Sequence, residues 1–110
     1  MKQLFLSFLF LSTFLLAQAQ EKSYNIVCVA FYNLENLFDT INDPDKNDEE
    51  FLPEGLNRWT SEKYLEKLSN MAEVITQIGD EYVKGGPVCV GVSEVENIGV
   101  LTDLANQPKM

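Results

Sequence analysis

Apolar and polar positions change character along the chain in blocks. From Asn25 to Tyr32 the residues are almost all apolar, with β-branched and aromatic types prominent, which predicts a strand. Both faces of that strand are apolar, the pattern of a central strand covered on each side. Between Asp39 and Asn57 acidic residues, asparagines, two prolines and a glycine predict a long loop, a type that often carries function. Tyr64, Leu65, Leu68, Met71, Ala72, Ile75 and Ile78 then recur at helical spacing and form one apolar face. Thr60 suits the N-cap and Gly79 the stop, so the helix spans about residues 60–79, with Glu62, Lys63, Glu66, Lys67 and Glu73 on its exposed face. Gly85-Gly86-Pro87 turns the chain into a second buried strand, Val88 to Val92, and Asn97 is placed to cap a short helix running to Ala105. Strand, crossover helix and strand form a βαβ unit, which requires parallel strands and a right-handed connection, so the fold class is α/β.

The first twenty residues follow another pattern. Lys2 precedes an apolar run from Leu4 to Leu16, and Ala17-Gln18-Ala19 supplies small residues around a cleavage point. This reads as a secretory signal over residues 1–19, leaving residues 20–110 as exported, secreted or periplasmic protein. The run is shorter than the roughly 18 apolar residues a membrane span needs, so no transmembrane anchor is expected.

Charge narrows the range of partners. Eight basic residues face seventeen acidic ones, for a formal net charge of −9 at pH 7. Such a surface repels phosphate backbones and argues against simple coating of nucleic acid, although a cation in a cleft offsets this locally. There is no histidine, and Cys28 and Cys89 alone are too few for a structural zinc site. Each cysteine lies five residues before the polar end of its strand, so the two should sit level in neighbouring strands. They are read as two buried small apolar residues rather than a disulfide.

The candidate chemistry lies at the strand ends. In an open sheet covered by helices, ligands gather beyond the carboxyl ends of the strands. Val-Cys-Val-Ala-Phe-Tyr-Asn ends at Asn33, and Val-Cys-Val-Gly-Val-Ser-Glu ends at Glu94. A hard cation such as Mg²⁺ takes oxygen ligands, commonly one or two carboxylates completed by water and substrate phosphate. Glu94 offers the carboxylate, and Asn33 offers an amide oxygen to the metal or an NH₂ to a phosphoryl oxygen. The alternatives are a turn-forming asparagine and a solvent-facing glutamate. Glu96 is read as a solvated or cap-region charge, and Trp59 as a packing anchor before the helix. The acidic stretch Asp43 to Glu50 fails as a Ca²⁺ loop because Asp48 stands where glycine is needed for the sharp turn, so it is read as a solvated insertion.

Four segments together carry a family resemblance: Phe31-Tyr32-Asn33-Leu34-Glu35-Asn36-Leu37-Phe38-Asp39; Glu50-Phe51-Leu52-Pro53; Trp59-Thr60 with Lys63-Tyr64 and Lys67-Leu68; and Gly91-Val92-Ser93-Glu94-Val95-Glu96-Asn97. They resemble the start of the endonuclease/exonuclease/phosphatase family, in particular its secreted bacterial members. The resemblance implies a four-layer α/β/β/α sandwich, of which residues 20–110 form an incomplete N-terminal portion. It implies a Mg²⁺-dependent phosphoesterase site, with Mn²⁺ as a substitute ion, in which Asn33 and Glu94 are catalytic and metal-site residues. Glu35 falls where some nuclease members carry aspartate, and Ser93 replaces a common glutamine. The implied substrates are phosphoesters: nucleic acid, phospholipid headgroups or small molecules.

Family members add a downstream Asp-x-Asn motif and a later Asp-His pair as their remaining catalytic parts, and this chain has no histidine. The chain is therefore expected to be inactive alone, lacking its base and much of its charge stabilisation. It is also expected to need further sheet or a partner for stable folding, because two parallel strands leave edges unpaired and one face bare. Downstream Asp-x-Asn and Asp-His residues would favour a hydrolase. The alternative is a non-catalytic exported protein that retains part of the fold for partner binding.

Overall fold

The computed structural model describes residues 22–110, so the secretory leader read at residues 1–19 lies outside the described residues. Two parallel strands, β1 (Val29–Leu37) and β2 (Cys89–Val95), are joined through helix α1 (Ser61–Gln77), and helix α2 (Ile98–Ala105) follows β2. A single 3-10 turn, Glu49–Phe51, interrupts the long loop after β1. No helix among the described residues is long and apolar enough to cross a membrane.

The helices form where local signals place them. Thr60 has extended backbone and accepts the Lys63 N–H, capping α1. Asn97 likewise accepts the Val100 N–H at 2.9 Å and starts α2. The apolar stripe of α1 buries Tyr64, Leu68, Ala72 and Ile75 against Leu34 and Leu37 of β1 and Val100 and Leu104 of α2. Val90, Val92 and Val95 of β2 and the Trp59 ring pack around this core.

The strands differ from the sequence expectation in position and covering. β1 starts four residues later than Asn25, because the ladder has partners only from Val29, paired with Cys89. It then runs on past Tyr32 to Leu37. Between the Asn33–Ser93 and Leu37–Val95 pairs, β1 advances four residues while β2 advances two. The excess is a bulge in which Glu35 and Asn36 take left-handed conformations, φ 51° and 55°. Leu34 and Leu37, three apart, would face opposite sides of a regular strand, yet the bulge turns both into the core. One face of the sheet is covered by the two helices. On the other, Val29 and Phe31 are 69% and 73% exposed, so the expected covering on both sides is absent among the described residues.

The register also corrects the cysteine reading. Cys89 pairs with Val29 and not with Cys28, a slip of one residue that sends the two side chains to opposite faces. Cys28 is half-buried beside the end of α1 and donates weakly to the Ile78 carbonyl at 3.6 Å. Cys89 is exposed, so only one of the pair behaves as a small buried residue, and both thiols are free.

Nor is the loop after β1 a plain solvated insertion. Phe51 stacks on Phe38 with ring centroids 4.3 Å apart and nearly parallel planes. Asp48 is buried and accepts the Asp43 N–H at 2.8 Å. The Trp59 indole N–H donates to the Phe38 carbonyl at 2.9 Å, which ties the end of the loop to its beginning.

Candidate active site

Asn33 and Glu94 meet at the carboxyl edge of the sheet. The Asn33 Nδ2 donates to Glu94 Oε1 at 2.8 Å, although the residues lie 61 positions apart. Asn33 Oδ1 in turn accepts the Glu35 N–H at 2.6 Å. These two bonds fix which end of the amide is oxygen, since the flipped amide would set donor against donor and acceptor against acceptor. Asn33 is thus a bracket between the β1 bulge and the Glu94 carboxylate.

Backbone strain concentrates at this edge. Of the four non-glycine residues with positive φ among the described residues, three are Glu35, Asn36 and Glu94, the last at 56°. Left-handed backbone costs a β-carbon-bearing residue about 1–2 kcal/mol, and such strain gathers where surrounding structure holds a functional group in place. At Glu94 it falls on the backbone of the residue that carries the carboxylate. Both Asn33 and Glu94 are exposed, and Glu94 Oε2 carries no hydrogen bond from the described residues.

The donor set suits a hard cation. Glu94 offers a free carboxylate oxygen on an accessible edge, and Asn33 holds the other oxygen without cancelling its charge. No group of three or more histidine, cysteine, aspartate or glutamate side chains is placed to hold a metal among the described residues. An ion bound by one carboxylate and completed by water and substrate would not need such a group. The Asn33 amide oxygen has one lone pair engaged by Glu35, so the main contact of Asn33 within the site is through its NH₂.

Two residues matter more than their sequence positions indicate. Glu96, read as a solvated charge, is half-buried; its Oε2 accepts the Asp39 N–H at 2.9 Å, and its backbone carbonyl accepts from Lys46 Nζ at 2.9 Å. Burial raises its carboxyl above the usual range, with Asp39 and Asp48 adding to the effect and the Asp39 N–H and Lys46 opposing it. Lys67, read as an exposed helix position, is also half-buried. Its ammonium meets the Glu35 carbonyl at 2.5 Å and the Asn36 carbonyl at 3.5 Å, and lies 5.5 Å from the centre of the Trp59 ring. The available signal was its spacing: three residues after Tyr64 and next to Leu68, it flanks the apolar stripe. Glu35 contributes backbone groups to the site, and its side chain is exposed.

The parallel βαβ unit thus brings an amide and a carboxylate together at its carboxyl edge, where open α/β sheets gather ligands. The chain belongs to the endonuclease/exonuclease/phosphatase family, whose sequence model matches residues 28–110. The match takes in both strands, both helices and the Asn33–Glu94 pair. Comparison with curated proteins gives no match, and neither does comparison with solved structures.

Proposed function

We propose that the chain contributes Asn33 and Glu94 to a Mg²⁺-dependent site that hydrolyses phosphoester bonds, with Mn²⁺ able to substitute, and that it does not turn over substrate by itself. The observation carrying this reading is the 2.8 Å bond from Asn33 Nδ2 to a Glu94 carboxylate held in left-handed backbone at the sheet edge. Glu94 Oε2 would hold the ion, and Asn33 would keep Oε1 turned away from it. When bound, the ion supplies electrostatic stabilisation of charge developing on the phosphoryl oxygens. No histidine stands in the chain to activate the attacking water, which supports inactivity. The net charge of −9 favours a compact phosphoester or a lipid headgroup over a long polyanion. The leader at residues 1–19 supports export to the periplasm or beyond.

Mn²⁺ titration followed by electron paramagnetic resonance tests the metal site. The chain should bind the ion, and Glu94→Gln should weaken binding by at least about tenfold. Unchanged binding in that variant overturns the site. An assay with bis(p-nitrophenyl) phosphate and Mg²⁺ tests inactivity, and turnover that Glu94→Gln abolishes would refute it.

A further inference from the structure

We propose that Lys67 is a positioning residue for the Asn33–Glu94 pair, acting through the carbonyls of the β1 bulge. This rests on the reading of that pair as the metal site. The bulge removes Leu34, Glu35 and Asn36 from the ladder with β2, because pairing stops at Asn33 and resumes at Leu37. Backbone carbonyls released from a sheet turn to another partner, side chain or water. Lys67 reaches across from α1 and supplies one, with its ammonium at the Glu35 and Asn36 carbonyls. The Trp59 ring backs the ammonium, and Trp59 is itself anchored on the Phe38 carbonyl.

The consequence passes through one peptide unit at a time. Holding the Glu35 and Asn36 carbonyls holds both left-handed residues. That orientation points the Glu35 N–H at Asn33 Oδ1, and this contact turns Asn33 Nδ2 toward Glu94. Without the ammonium, two residues carrying β-carbons would keep left-handed backbone with no charged partner to offset the strain. Desolvation lowers the affinity of Lys67 for its proton, while Glu35 and Glu94 draw it back up. Two of the three ammonium hydrogens of Lys67 are directed at these carbonyls.

Two readouts separate this role from general stabilisation. In the metal-free chain, nitrogen-15 NMR of the Asn33 side-chain NH₂ should give one dispersed pair of resonances. Lys67→Met, which keeps the stem and removes the charge, should collapse the pair toward solvent-exposed asparagine positions, and Lys67→Arg should restore it. Mn²⁺ affinity should fall about tenfold in Lys67→Met and return to within about twofold in Lys67→Arg, while helical circular dichroism stays constant. An unaltered Asn33 NH₂ in Lys67→Met overturns the proposal, and so does loss of helix signal in parallel with any change. If wild type shows a dispersed Asn33 NH₂ but binds no Mn²⁺, the metal-site reading fails and the positioning role of Lys67 is still decided by the NMR comparison.

Discussion

Glu96 accepts the backbone N–H of Asp39 across 57 positions of chain, so the residue just beyond β2 holds the start of the loop that leaves β1. The bond is charge-assisted when Glu96 is ionised, and its loss is expected to cost about 1.5 kcal/mol locally. Glu96→Ala should therefore raise hydrogen exchange at Asp39 roughly tenfold and speed proteolysis between residues 40 and 47. Glu96→Gln keeps an acceptor oxygen and removes the buried charge, so it should leave both near wild type. Equal loosening in the two variants would show that charge, not the acceptor, holds the loop.

Tyr64 provides the pH-dependent expectation. Its hydroxyl donates to Asp103 Oδ2 at 2.8 Å, and its pKa is raised well above the ordinary 10.0, first by burial and then by Asp103. A phenol that keeps its proton longer when folded binds more proton than the unfolded chain above pH 10, so stability falls as pH climbs past that point. Absorbance at 295 nm should show one of the four tyrosines ionising late, and Tyr64→Phe should remove that component. The variant should cost about 1 kcal/mol at neutral pH for the lost hydrogen bond.

The turn before β2 separates two neighbouring glycines. Gly85, φ +93°, has open space where a β-carbon would stand, whereas at Gly86, φ +80°, a β-carbon would come within 2.7 Å of the Thr76 carbonyl oxygen. Gly85→Ala should cost only the left-handed conformation, about 1 kcal/mol. Gly86→Ala should cost at least about 2 kcal/mol more, because backbone must move. Paired denaturation curves measure the gap, and equal costs would mean that the turn shifts freely.

What was legible in the sequence was local. Thr60 and Asn97 announce their helices because each cap is satisfied within three residues, and the stripe from Tyr64 to Ile75 needs only helical geometry to show its buried side. Asn33 and Glu94 were legible as the ends of two apolar runs, and the sheet brings them together. The one-residue slip that separates Cys28 from Cys89 was not, since register is a property of two strands and nothing within either run specifies it. Glu35 was equally opaque: glutamate has no preference for left-handed backbone and is held there by Asn33 and Lys67, which lies 32 positions away. Lys67, Asp48 and Glu96 read as ordinary surface charges because their burial arises only when the loop and α1 close over the sheet edge.

Gly79 and Cys28 give the molecule a built-in chemical reporter. A β-carbon on Gly79 would stand 2.8 Å from Cys28 Sγ, so the thiol fills the space that this glycine leaves at the end of α1. Cys28 is half-buried there and should be alkylated more slowly than Cys89, which is exposed on the bare face. The ratio of the two labelling rates thus follows how closely the end of α1 covers Cys28. Any contact that presses the helix layer onto the strands would register as slower labelling of Cys28 alone.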